Sequence, residues 1–274
     1  MPTYLERYLA GEHAAVWDEL AALGPLAPGT PLHAEARAVA RATMTRARAN
    51  VATLVQRLTA LGYRFTSDAL GPAPTPFAPP TAESLAALRA LEEEYGPLPL
   101  ALGAWYEVGG AVDFSGIHPR LGSEAADPGG IVRWLRGRGL NVRLAGAPGE
   151  PDTPADPLAP DPDFGLATDP LVIWPCIGPL VDESPGAGPG QARYSLGFAP
   201  DAITKAGESG GDGPHMDFGD ARADAPLHGD DWEGVPFVSY LRTVFAWGGF
   251  PGLRAATNPP RALLDQLRAG LLAL

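Results

Sequence analysis

The sequence predicts an α+β fold: a mixed or antiparallel sheet of about four to six strands, helices packed on one side, and an N-terminal helical extension. Three observations predict it. Stretches with a helical apolar period lie at both ends of the chain. Short strand-like runs bounded by Gly and Pro lie between them. No segment repeats at a solenoid or propeller period.

The elements follow in order. Residues 3–23 read as one helix with Leu5, Leu9, Val16, Leu20 and Leu23 apolar, ending at Gly24 and Pro25. A longer helix runs from about His33 to Leu61, with a stripe of Val39, Met44, Val51, Leu54, Val55, Leu58 and Leu61, and Gly62 as C-cap. Arg37, Arg41, Arg46, Arg48 and Arg57 line its other surface. They read as a solvated face, or as ion-pair partners for the acidic remainder. GPAPTPFAPP (71–80) is an extended connector. Thr81 offers an N-cap to a short helix carrying Leu85, Leu88, Leu91 and Tyr95, stopped by Gly96 and Pro97. LPLALGAWYEVGG reads as another short helix closed by Gly109 and Gly110, and AVDFSG as the strand after it. IVRWLRGRG is a helix or a strand, LNVRLAG a strand, and 145–165 a mobile Pro/Gly/Asp-rich surface loop. DPLVIWPCIGPLV, ARYSLGFAP and HMDFGD are strand-like, with Met216 and Phe218 on one face. VPFVSYLRTVFAW is an amphipathic helix, and a last helix follows Pro259 and Pro260 with Leu263, Leu264, Leu267, Leu271 and Leu272 apolar. The organisation expected is a helical extension over 1–70 packed on a core over 81–274, as one compact unit.

Composition bounds the function. Hydrophobic residues make up 45% of the 274 residues, a globular proportion. No apolar run reaches the roughly 18 residues that span a bilayer, and MPTYLERYLAGEH lacks the basic and apolar regions of a signal peptide. A cytoplasmic protein with no membrane partner is expected. Cys176 is the one cysteine, so no internal disulfide and no cysteine-based zinc site form; in LVIWPCIGPLV it reads as a buried structural thiol. The net charge of −12 disfavours nucleic acid and favours a basic partner, although acidity also serves solubility alone. All but one of the 20 basic residues are arginine, which with the Ala, Gly and Pro content reflects a GC-rich genome.

Residues 85–114, LAALRALEEEYGPLPLALGAWYEVGGAVDF, carry a more specific pattern. A helix ends in a Leu-Glu-rich turn (Leu91 to Glu94, Gly96), followed by a Leu98–Pro99 step. A second helix carries Trp105–Tyr106, and Gly109–Gly110 leads into the strand Val112–Phe114. This resembles the opening of SUKH-superfamily domains, the group of the yeast cell-wall synthesis regulator and many bacterial immunity proteins. DPLVIWP resembles the second strand of that family, YSLGFAPDAITKAGESGG with HMDF its middle sheet, and FVSYLRTVFAWGGFPGL its closing helix. The likeness spans roughly residues 83–253. It implies a cytoplasmic protein that binds another protein and neutralises a toxin, often a nuclease or deaminase.

Four groups of residues are candidates for a site. In APDAITKAGESGGDGPH (199–215), Asp201 and the sole lysine, Lys205, stand four apart and would pair on a helical turn. Ser209 opens a Ser-Gly-Gly loop able to offer backbone N–H groups to an anion. The spacing is not that of a phosphate-binding P-loop. The alternatives are a structural turn, a recognition loop, or a small-ligand loop. His215, Asp217, Asp220, Asp224, His228, Asp230 and Asp231 match no metal motif and read as a surface acidic loop, with a metal site the lesser alternative. Hydrolytic chemistry lacks both G-x-S-x-G and H-E-x-x-H. Among the aromatics Trp105, Tyr106, Phe114, Trp134, Trp174 and Trp247 read as core, whereas Trp232, in the polar run HGDDWEG, is the expected exposed hot spot.

Together these readings predict a binding module without catalytic residues, cofactor or metal. Its partner is a protein, a basic toxin domain in the immunity reading, held through Asp201, Lys205, Ser209, Asp230, Asp231 and Trp232. An enzyme or small-ligand protein using 199–231, and a regulatory scaffold, are the competing classes. The oligomeric state is left open.

Overall fold

The computed structural model describes residues 2–66, 73–118, 121, 168–175, 181–183, 194–201, 205, 213–229, 232–256 and 258–274. Over these the fold is α+β, with small antiparallel sheets among helices.

The single helix expected over 3–23 is two helices: α1 (Tyr4–Leu9) and α2 (His13–Ala22). Gly11, at φ +105°, breaks the run. Thr3 caps α1 in a reciprocal box: its hydroxyl accepts from the Glu6 N–H at 3.1 Å, and the Glu6 carboxylate accepts from the Thr3 N–H at 2.8 Å. α2 docks on α3 (Pro31–Ala60) by burying Val16, Trp17 and Leu20, and the Trp17 indole N–H donates to Thr43 Oγ1 at 3.1 Å.

α3 starts on Thr30, whose hydroxyl accepts from the His33 N–H at 3.2 Å, with Pro31 in the first turn where a missing N–H is harmless. Val39, Met44, Val51, Leu54 and Leu58 of its stripe are fully buried in one apolar cluster reaching from Tyr8 to Leu274, and Val55 and Leu61 are partly buried against it. α3 is therefore a spine of the core. The arginines on its other surface are tied down. Arg37 and Arg41 grip Glu107, and Arg48 donates to the Val108 carbonyl at 3.3 Å. Arg46 and Arg57 donate to the carbonyls of Ala273 and Leu267 at 2.5 and 2.6 Å.

α4 (Ala82–Tyr95) begins at Thr81 and ends at Gly96, as its sequence dictates. α5 (Leu100–Ala104) runs into a π-helical turn, Trp105–Gly109, that buries Trp105 and Tyr106. β1 (Arg64–Phe65) pairs with β4 (Gly116–Ile117). β3 (Ala111–Asp113) lies between β2 (Phe77–Ala78) and β5 (Val172–Ile173). β7 (Tyr194–Gly197) lies between β6 (Val181–Glu183) and β8 (His215–Asp217).

Among the described residues the strands form two three-stranded sheets and a two-stranded ribbon, where one continuous sheet is expected from sequence. One backbone bond joins the larger two, from the Trp174 N–H to the Phe198 carbonyl at 2.8 Å. The strands hold only two to four residues each, too short to carry the ladder further.

α6 (Phe237–Ala246) presents Phe237, Val238, Tyr240, Leu241, Val244 and Phe245 to the core. A 3₁₀ turn (Pro251–Ala255) and α7 (Arg261–Arg268) follow. α7 buries Leu263, Leu264 and Leu267, but stops before Leu272, which is 42% exposed. The readings for 119–120 and 122–167, including IVRWLRGRG, LNVRLAG and the 145–165 loop, fall outside the described residues, as does Cys176. Among the described residues no helix is long and apolar enough to cross a membrane.

Candidate functional site

A short segment, Ala221–Ala225, organises the region around the candidates. The Ala221 carbonyl accepts from the Leu26 N–H at 2.9 Å. The carbonyls of Arg222 and Ala223 accept from the Leu100 and Ala101 N–H groups at 3.0 and 2.9 Å, satisfying the open first turn of α5. Asp224 then caps α6: its carboxylate accepts from the Phe237 and Val238 N–H groups at 3.1 and 3.0 Å. Two helices thus owe their N-terminal bonds to one segment. Asp224, read from sequence as part of a surface acidic loop, is in fact 7% exposed. Burial pushes its carboxyl up to about 7, against the pull of the Val238, Phe237 and Ala225 N–H groups and the Arg242 charge.

Asp201 and Lys205 do stand on one helical turn, the Lys205 N–H donating to the Asp201 carbonyl at 3.0 Å. The ammonium reaches out of that turn to Asp169, with Nζ 2.5 Å from Oδ1. The two side chains are only 2% and 8% exposed, and Asp201 is 7% exposed. A surface recognition role for Asp201 and Lys205 is therefore corrected to a buried one. Asp169 has φ +39°, the sole non-glycine residue in the left-handed region among those described, and it precedes Pro170.

Trp232, expected to be exposed, is 5% exposed. Its ring meets Tyr240 edge-on at 4.6 Å, and the Arg254 guanidinium lies 4.2 Å from its centroid. The polar neighbours place the backbone at the surface while the indole turns inward. Burial, then the Asp169 charge, raises the Tyr240 hydroxyl far above its usual range. The hydroxyls of Tyr240 and Thr168 are buried without a hydrogen-bond partner among the described residues. Ser209, Asp230 and Asp231 lie outside the described residues.

His215 and His228 stand side by side, both partly exposed. His215 and His228 exchange backbone bonds at 3.0 and 2.9 Å, and their rings lie 5.6 Å apart. His228 Nδ1 is 3.2 Å from Glu233 and Nε2 is 3.9 Å from Asp217. The Gly229 N–H, first among its neighbours, holds Glu233 below the usual carboxylate range. Among the described residues no group of three or more His, Cys, Asp or Glu is placed to hold a metal ion.

Sequence reasoning missed Asp169, Thr168, Tyr240 and Arg254 as neighbours of the candidates. Asp169–Pro170 reads from sequence as the start of the strand-like DPLVIWPCIGPLV. Nothing local ties Asp169 to a lysine 36 residues later. No family model, no curated protein and no solved structure matches the chain.

Proposed function

We propose that the chain is a protein-binding module of the SUKH kind, an immunity protein that neutralises a basic toxin by covering it. The observation that carries this reading is where the charges are spent. Residues 1–70 are close to neutral, so the net −12 is carried from residue 71 onward. The arginines of α3 are engaged by Glu107 and by backbone carbonyls, and Lys205 is engaged by Asp169. Glu83, Glu93, Glu94 and Glu233 stand exposed. A net charge of −12, with carboxylates such as these exposed, favours a basic partner, whose encounter opposite charge accelerates.

The test is capture of partners by the whole chain from its native cytosol, then binding kinetics on the protein recovered. A basic protein whose association slows as salt rises is the expected result. Recovery of a bound small molecule and no protein would replace this reading with the ligand-binding one.

A further inference from the structure

We infer that Tyr95 and Tyr194 anchor the docking surface for an arginine-rich segment of the partner. The inference rests on the protein-binding reading and gives it a place.

Tyr194 opens β7 and is 36% exposed, among the few large hydrophobic side chains left at the surface. Its ring lies 4.7 Å from that of Tyr95, the last residue of α4. Beneath them Phe218 is 7% exposed, with its ring 5.5 Å from Tyr95.

The backbone holds this group rigid. Gly96, at φ +98°, turns the chain off α4, and a Cβ there would stand 3.1 Å from the Gly219 Cα, so the two glycines meet nearly backbone to backbone. The Gly219 N–H donates to the Pro97 carbonyl at 2.8 Å, and the Phe218 N–H to the Tyr194 carbonyl at 2.8 Å. Tyrosines held this way contribute contact area at low entropic cost.

The turn that leads to Tyr95 carries carboxylates. Glu93 and Glu94 are exposed on the last turn of α4, and Glu94 raises the Tyr95 hydroxyl above its ordinary value. A guanidinium fits this place on two counts. It stacks on a tyrosine face, and its planar fork bonds a carboxylate. An ammonium offers no comparable planar match.

The probe is an octa-arginine peptide titrated into the full chain and followed by NMR. Saturable shifts centred on Glu93, Glu94, Tyr95 and Tyr194 are expected. Tyr194→Ala, and separately the exposed pair Glu93→Lys with Glu94→Lys, should each weaken binding by about tenfold or more. Shifts spread over the acidic surface, shifts centred on 213–233, or variants that bind as the parent does would overturn the inference. The charge pair lies on an exposed helical turn, so it reads the surface even if Tyr194→Ala unfolds. A partner recovered from cytosol that binds both variants undiminished sinks this surface and leaves the binding reading standing. Failure to recover any protein partner sinks the binding reading itself.

Discussion

Lys205 Nζ lies 2.5 Å from Asp169 Oδ1, and both side chains are nearly closed to water. Two segments 36 residues apart in sequence are thereby stapled together. Removing one partner leaves an uncompensated buried charge, which costs about 3–5 kcal/mol. Lys205→Met should therefore lower unfolding free energy by that order in urea. The double variant with Asp169→Leu should lose clearly less than the sum of the two single losses.

Asp224 gives the fold a pH dependence of definite sign. Its folded pKa is raised by burial from 3.8 to about 7. A raised folded value means that its contribution is complete below the unfolded pKa and is lost as pH climbs through the folded one. Between pH 4 and 7 this group should withdraw on the order of 4 kcal/mol of stability. Asp224→Asn keeps an acceptor for α6 and cannot ionise, so its stability curve should be flatter over that window. An unchanged slope in urea melts at pH 4, 5.5 and 7 would count against the assignment.

Trp232→Ala should act on stability first. Truncating a buried tryptophan costs about 3–5 kcal/mol, and here it also strips the face on which Arg254 lies and the edge contact with Tyr240. Thermal melts should show a lowered transition.

Asn50 and the C-terminal tail allow a local test. The Asn50 amide donates to the Leu272 carbonyl at 2.9 Å and accepts from the Leu272 N–H at 2.7 Å. Asn50→Ala should cost about 1–3 kcal/mol. Hydrogen exchange at Leu272 should rise towards that of an open amide while the centre of α3 stays protected.

The helices were the legible part of the fold. α4 and α6 carry their boundaries in Thr81, Gly96, Pro236 and Gly248, and their apolar spacing reports the buried face directly. α1 and α2 read as one helix because Leu5, Leu9, Val16 and Leu20 keep helical spacing across Gly11, and one glycine in an apolar period is a weak signal. The splitting of the sheet was not legible. Pairing of β3 with β2 and β5 is decided by partners across long connections, and strands this short carry little pattern. The burial of Trp232 and Lys205 is not legible for a related reason. Neighbours in sequence report where the backbone runs, so HGDDWEG reads as surface, whereas the indole follows Tyr240 and Arg254. The Asp169–Lys205 pair is non-local and leaves no spacing to find.

The most direct measurement is native mass spectrometry of the chain isolated from its own cells under low salt. The expected spectrum contains the chain bound to a second, basic protein, with the complex fading as ammonium acetate is raised. A spectrum of the chain alone, or of the chain with only a small molecule attached, would contradict the account.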